Sequence, residues 1–290
     1  MAKVAVIGIP GKWSSEALAD EIEQRSGFRL LVDMAQVSLD LAERRLLYQG
    51  TDLCQLDGLV VKKISARYSP NTLDRLELLR MAEVAGVRVF SPAERILRLV
   101  DRLSCTLTLG SQGIPMPTTL ITEDEDAAQQ AIDRFGSAVF KPLYSTKARG
   151  MRLIHAQDKN RKAAVREFKR LNPMMYIQQW LKLPGRDLGM LFLGGRYLGS
   201  YARVGQNGSW NTTINSGGRY ARAEPEAELI DLAQRAQDLF GMDFTTVDLA
   251  ETEQGPVIFE VSAFGGFRGA QEGLGINAAA AYAEHVLGLL

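Results

Sequence analysis

The sequence predicts an α/β unit built on a parallel sheet, then a small α+β unit, then an antiparallel sheet. Three observations carry this reading. Short apolar strand runs alternate with helical patterns up to Phe90, the middle of the chain mixes both around a basic loop, and from Tyr176 onward paired strands with tight turns dominate. The chain accordingly divides into residues 1–97, 98–175 and 176–290.

Residues 3–8 read as a strand ending in the turn Gly8-Ile9-Pro10-Gly11, and residues 13–25 as a helix. Residues 30–32 and 58–61 are further strands. Pro70-Asn71 opens a helix over 73–85 with Leu76, Leu79 and Ala82 at helical spacing, and Gly86 ends it before strand 87–90. Ser91-Pro92-Ala93-Glu94 supplies a cap, a first-position proline and a capping-box glutamate. The helix that follows is expected to run past Asp101-Arg102 towards Gly110, where Gly113-Ile114-Pro115-Met116-Pro117 breaks the pattern. Residues 118–122, 138–141 and 151–154 are extended, and 124–135 and 161–171 helical. Residues 189–193 and 196–204 form a hairpin through Gly194-Gly195, 205–219 a polar loop and 226–240 an amphipathic helix. A second hairpin joins 245–249 to 256–261, and a helix over 278–289 closes the chain.

Composition narrows the chemistry. Of 290 residues, 46% are hydrophobic and 23% charged, and 34 Lys+Arg balance 34 Asp+Glu. A net charge of zero argues against a nucleic-acid coat or a polybasic membrane surface. No apolar run reaches the roughly 18 residues of a membrane span. Met1-Ala2-Lys3 leads straight into a strand rather than a signal peptide, so a cytoplasmic protein is expected. Cys54 and Cys105 lack metal or redox spacing, and only His155 and His285 supply imidazole. Disulfide scaffolds, zinc hydrolysis and histidine triads are therefore disfavoured. The chemistry must rest on Lys, Arg, Asp, Glu and backbone.

The second hairpin is the most informative piece. A turn centred on Gln254 sets Asp248 directly opposite Glu260, on the face of Ser262, with Val247, Leu249, Val257, Phe259 and Val261 facing a core. Like charges opposed across a sheet repel, so these carboxylates are either solvent-screened or held together by a cation, and an oxygen-only pair suits Mg²⁺. On that reading Glu260→Gln leaves the metal-free protein unharmed. Lys141 ends an apolar strand, as a surface lysine or as an ammonium for phosphate, and the basic loop 144–150 follows it. Gly8-Ile9-Pro10-Gly11 is not a dinucleotide turn, His155 reads as a surface residue, Trp180 as core, and Trp210 as core or adenine-adjacent.

The order of these pieces resembles the ATP-grasp superfamily, in its RimK-like branch of carboxylate–amine ligases. Asp57-Gly58-Leu59-Val60-Val61 through Phe90-Ser91-Pro92 resembles that branch's N-terminal domain, and Asp101-Arg102 stands where Asp-Lys is usual, ahead of Gly113 to Pro117. Phe140-Lys141-Pro142-Leu143, the lid Ser145 to Gly150, Tyr176-Ile177-Gln178-Gln179-Trp180, Gly185-Arg186-Asp187, Val247-Asp248 and Phe259-Glu260-Val261 continue the series. The resemblance implies an ATP-grasp fold with a Rossmann-like N-terminal domain, a lid subdomain and a C-terminal antiparallel-sheet subdomain. It implies ATP bound by Arg102, Lys141, Ser145, Thr146, Lys147, Gly150, Gln178, Gln179, Trp180, Leu181 and Asp187. Mg²⁺, with Mn²⁺ as the alternative ion, falls to Asp248, Glu260 and Ser262, and catalytic duty to Arg203 and Arg268. Small-molecule or peptide carboxylates and amines are the implied substrates, with no nucleic acid or membrane partner and homo-oligomers open.

The departures are Arg102 for lysine, Ser145 and Ala148 for lid glycines, Asn211 for arginine, and Ser262 for asparagine. They point to a divergent subgroup, such as the ATP-grasp proteins of the GAK system. The leading reading is an ATP- and Mg-dependent ligase acting through an acylphosphate. The alternatives are a nucleotide-binding regulatory protein without turnover and an ATP-grasp phosphotransferase.

Overall fold

The computed structural model describes residues 1–146, 148–206, 211–214 and 217–290. Four apolar residues in a row make β1 (Val4–Ile7) and β6 (Gly58–Val61) central strands buried on both faces. They sit in a parallel sheet of order β2-β1-β6-β7, with β2 at Leu31–Val32 and β7 at Arg88–Phe90. Helix α1 (Trp13–Ser26) ends where Gly27 turns left-handed at φ +68 and donates to the Glu23 carbonyl. Helix α2 (Pro70–Val84) buries Leu76, Leu79 and Ala82 as the spacing requires. Between β2 and β6 the chain adds a small antiparallel sheet of β3 (Ser38–Asp40), β4 (Arg45–Tyr48) and β5 (Thr51–Asp52). Strands this short leave no periodicity to read, and sequence analysis missed them.

Two expectations at the following helix are corrected. Ser91 does not cap it. Its hydroxyl accepts from the Asp243 amide at 2.8 Å, while the Glu83 carboxylate takes the Ala93 amide at 2.8 Å. Nor is the helix continuous: α3 (Ala93–Val100) stops, Asp101 adopts extended backbone at ψ 109, and α4 (Arg102–Ser111) begins. The Asp101 carboxylate accepts from the Leu103 amide at 3.0 Å and so starts the second helix. The break places Arg102, 9% exposed, inside the molecule.

The second sheet has the order β10-β9-β11-β8, from β8 (Thr119–Thr122), β9 (Ser137–Lys141), β10 (Arg152–His155) and β11 (Met175–Gln179). Helices α5 (Glu125–Phe135) and α6 (Arg161–Leu171) cover one face through Ile132, Phe140, Phe168 and Ile177. Alternation turns Lys141, Tyr176 and Gln178 to the other face.

The third sheet, β14-β13-β12-β15-β16, is antiparallel. It comprises β12 (Arg186–Leu193), β13 (Arg196–Val204), β14 (Arg219–Ala223), β15 (Phe244–Thr252) and β16 (Gly255–Ser262). Helix α7 (Ala227–Asp238) packs on the face of Leu188, Met190, Val247 and Leu249. The opposite face carries Asp187, Arg203, Asp248 and Glu260. In the last hairpin Asp248 does stand opposite Glu260, but for a different reason than expected. The turn lies between Thr252 and Gly255, half a residue earlier, and a β-bulge beyond Asp248 restores the pairing. The bulge also corrects the facing. Ile258 is fully buried, whereas Val257 and Phe259 are only half-buried.

After β16 a short helix α8 (Phe267–Gly269) continues as a π-helical turn, Ala270–Leu274. Helix α9 (Ala278–Gly288) then lies against α1, its Tyr282, Ala283 and Val286 sharing a core with Leu18 and Ile22. Replacing the hinge cap, Asp101→Ala, is expected to lower stability by about 1 kcal/mol, with Asp101→Asn close to wild type, as read from urea unfolding midpoints.

Candidate functional site

The second and third sheets present charged faces to one another, and α4 joins them. Lys141 ends β9 at 8% exposure and donates to Gln178 Oε1 at 2.5 Å. Gln178, itself 2% exposed, donates through Nε2 to Thr119 Oγ1 at 3.1 Å and Tyr176 OH at 3.2 Å. The Lys141 ammonium stands 5.3 Å from the centre of the Phe259 ring, which the bulge turned this way. Burial pushes the Lys141 ammonium down to about 7, Arg102 adds to this, and Glu260 and Asp248 oppose it.

Arg102 donates to Glu260 Oε2 at 2.8 Å and to the Pro142 carbonyl at 3.3 Å. On the third sheet Arg203 lies directly opposite Asp187 and ion-pairs with it, with Nε 3.1 Å from Oδ2. The same guanidinium reaches Asp248 Oδ1 at 3.1 Å. That oxygen is buried and receives no well-directed hydrogen bond among the described residues. Burial pushes Asp248 up to about 7, Arg203 pulls it down, and Glu260 and Asp187 push it further up. Burial alone would raise Glu260 too, but Arg102 and Lys141 outweigh it and hold the carboxyl below its ordinary range. Arg203 is held well above its ordinary value, because Asp248 and Asp187 more than offset its burial.

Each carboxylate of the hairpin pair therefore has its own arginine. This corrects the expectation that Glu260→Gln leaves the metal-free protein unharmed, since Arg102 would lose its partner. Asp187, expected among the ATP-binding residues, is 6% exposed and ion-paired with Arg203. Gln178 is likewise spent on positioning Lys141. Gln179, Trp180 and Leu181 follow along the end of β11, all half-buried, so Trp180 is not the core residue expected. Ser145 contributes a buried hydroxyl without a hydrogen-bond partner among the described residues, Thr146 is half-buried, and Gly150 turns left-handed at φ +71 against Pro142. Ala148 holds the left-handed region at φ +57, strained for a residue with a β-carbon. Lys147 and Trp210 lie outside the described residues. Ser262 is half-buried, on the face of Asp248 and Glu260. Arg268 stands apart, 61% exposed, with Glu272 at 3.8 Å and the Trp13 ring at 5.7 Å. His155 shares a 2.8 Å hydrogen bond with Ser137 away from the cluster.

Sequence reasoning missed Lys62, the residue that follows β6. It is 3% exposed, donates to the Phe264 carbonyl and to the Gly265 carbonyl at 3.0 Å, and lies 4.0 Å from the centre of the Phe267 ring. It ties the first sheet to the loop after Glu260, where Gly265 at φ +29 leaves no room for a β-carbon beside Phe244. Among the described residues no group of three or more His, Cys, Asp or Glu forms a ready-made metal cage. The available metal ligands are the oxygens of Asp248 and Glu260, with Ser262 beside them.

Residues 100–286 match the RimK-like ATP-grasp domain. The tetrahydromethanopterin:alpha-L-glutamate ligase of Methanosarcina acetivorans is 27% identical over 324 residues, covering 100% of both chains. A RimK-domain ATP-grasp protein from Sphaerobacter thermophilus superposes with a TM-score of 0.78 at 22% identity, covering 99% of this chain and 100% of that one. The ATP-grasp ligase PsnB, solved with a variant of its minimal precursor, Mg and ADP, gives 0.76 at 17% identity over 98% and 97%.

The two carboxylates should respond oppositely to neutralisation in chelating buffer. Asp248 is raised in the folded protein, so the stability it lends is complete below its unfolded value and lost as pH climbs through about 7. Asp248→Asn should therefore melt at or above wild type at pH 8, and lose that advantage towards pH 4. Glu260→Gln should cost about 1–2 kcal/mol at pH 7, moderated by the 38% exposure of the Glu260 side chain, and the cost should fade in acid as wild-type Glu260 protonates. Melting curves across this pH range read both trends.

Proposed function

The chain belongs to the RimK-like ATP-grasp family, and on that premise we propose that it is an ATP- and Mg²⁺-dependent ligase joining a carboxylate to an amine. The observation that carries this reading is the cluster in which Lys141 of the second sheet, Arg102 of α4 and Arg203 of the third sheet surround Asp248 and Glu260. Free carboxylates do not condense with amines in water. A substrate carboxylate oxygen attacks the γ-phosphorus of ATP and ADP departs. The amine then attacks the acyl carbon of the acylphosphate, and phosphate leaves.

The nucleotide's base lies along the strand end Gln178 to Leu181. Lys141 and the loop Ser145 to Gly150 take its phosphates, with the Ser145 hydroxyl, unbonded among the described residues, as one donor, while Arg102 stays on Glu260 and Pro142. Asp248 and Glu260 would hold magnesium, and the fit rests on the buried Asp248 oxygen, which among the described residues has the Arg203 charge beside it but no well-directed hydrogen bond. When bound, that ion neutralises phosphate charge and positions the phosphates. Arg203 is fixed by Asp187 with its free edge towards Asp248, where it stabilises charge on the transferred phosphoryl group. Between the facing sheets, water is kept from the acylphosphate. Arg268, at the rim, takes the carboxylate of an incoming substrate. Because the Methanosarcina acetivorans relative is named as an alpha-L-glutamate ligase, L-glutamate is the first amine to test, against a panel of small-molecule and peptide acids. Mn²⁺ serves as the alternative ion, the protein works in the cytoplasm without nucleic acid, and its units are residues 1–97, 98–175 and 176–290. Among the described residues no helix is long and apolar enough to cross a membrane.

Replacing Lys141 with Ala is expected to weaken Mg-ATP binding about tenfold or more, the worth of a charge-assisted contact, while His155→Ala binds as wild type. Calorimetry reads both. ADP release that requires both an acid and an amine supports the ligase. Tight ATP binding without such release would leave a regulatory protein, for which the replacement of an asparagine ligand by Ser262 is the motive.

A further inference from the structure

Tyr201 of β13 is 3% exposed, and four glycines wall its ring. A β-carbon on Gly189, Gly266, Gly269 or Gly273 would collide with it. The side chain runs from Gly273, which meets its β-carbon, past Gly269, which meets the ring, to the hydroxyl, which lies against the α-carbons of Gly189 and Gly266. Tyr220 meets the ring edge-on at 5.3 Å. These contacts account for an aromatic ring. They do not account for the oxygen, which has no hydrogen-bond partner among the described residues. The oxygen is not fully buried, so it can meet a ligand, and phenylalanine in the same cradle would lack that donor.

The register shows what the hydroxyl is beside. Gly189 pairs with Tyr201 on one side and with Asp248 on the other, and Asp248 pairs with Glu260. All four lie in one row on the charged face of the sheet. Gly189 carries no side chain, so the phenol lies across its α-carbon, one strand from Asp248. Arg203 and Asp187 form the adjacent row. On the other side begins the apolar core of Leu191, Phe244 and Phe267. The hydroxyl is thus held at the border where core gives way to the charged site.

We propose that Tyr201 is a further catalytic residue, whose hydroxyl donates a hydrogen bond to the phosphoryl group that ATP transfers. The proposal rests on the ATP-dependent reading above. Burial, together with Asp248, holds the phenol above its ordinary range, so it remains protonated and able to donate at neutral pH. The glycines leave it one orientation, which removes the entropy of positioning the donor at each turnover.

Calorimetry of wild type and Tyr201→Phe with Mg-ADP, and with the magnesium complex of the non-hydrolysable analogue adenylyl imidodiphosphate, tests this. Tyr201→Phe should melt close to the wild-type temperature, because the ring keeps its cradle and the hydroxyl makes no hydrogen bond among the described residues. It should bind Mg-ADP within about twofold of wild type, and bind the triphosphate analogue about tenfold or more weakly. Equal affinity of the two proteins for the analogue would overturn the proposal, as would equal weakening towards both nucleotides or a clear fall in melting temperature. Wild type that binds neither nucleotide would overturn the ATP-dependent reading, and this proposal with it.

Discussion

Charge balance in one largely buried cluster is the constraint on which the rest of the structure depends. Asp248 and Glu260 are paired across a hairpin and Asp187 stands nearby, so three carboxylates share a region where uncompensated charge is costly. Arg203 answers Asp187 and Asp248, Arg102 answers Glu260, and Lys141 adds a third positive group. These cations come from separate places: a helix start, the end of a strand in the second sheet, and the end of a strand in the third. The cluster therefore assembles only when the sheets face each other correctly. Several irregularities serve that end. The break at Asp101 lets Arg102 turn inward, and the bulge at Phe259 keeps Glu260 level with Asp248. Lys62 anchors the loop after Glu260 from the first sheet.

Much of this was readable in the sequence, because it depends on local pattern. Continuous apolar strands, glycine-ended helices and the two hairpins follow from periodicity, and the order of motifs pointed to the ATP-grasp fold. What was not readable is tertiary. Ser91 has every local mark of a cap, yet the Asp243 amide claims its hydroxyl and Glu83 caps in its place. The facing of Val257 and Phe259 could not be read, since a bulge looks like any other residue in a strand pattern. Asp248 and Glu260 were matched through a turn drawn half a residue late, and the bulge cancelled the error. The glycine cradle of Tyr201 joins Gly189 to three glycines some eighty residues later in the chain, and no local spacing announces it.

The site residues divide the same way. Lys141, Arg203, Asp248 and Glu260 were singled out and are brought together. Asp187 and Gln178 were singled out for ligand contact and instead orient Arg203 and Lys141. Each holds its cation through a short, buried contact, so a nucleotide meets donors that are already aimed. Arg268, exposed and tied among the described residues to Glu272 and Trp13, has no such constraint. The proposed ligase reading thus has a preset cluster for its phosphates and a loosely held arginine at the rim.

Arg102 shows why a departure from the family's lysine can be structural rather than a loss. The residue must do two things from the first turn of α4: hold Glu260 beside Asp248, and fix the chain where it leaves Lys141. A guanidinium does both at once, with Nη1 on Glu260 at 2.8 Å and Nε on the Pro142 carbonyl at 3.3 Å, while its plane lies 5.9 Å from the Tyr176 ring centre. A lysine ammonium is a single point and has no second, rigidly offset donor edge to span carboxylate and carbonyl. The cost is geometric, because the fork that fits Glu260 and Pro142 is committed before any phosphate arrives. That leaves Lys141, which is held by a neutral amide rather than a carboxylate, as the cation freest to turn to the nucleotide. Through the Pro142 carbonyl, Arg102 also fixes the start of the loop Ser145 to Gly150, so the arginine that replaces the family's lysine sets the position of the one that remains.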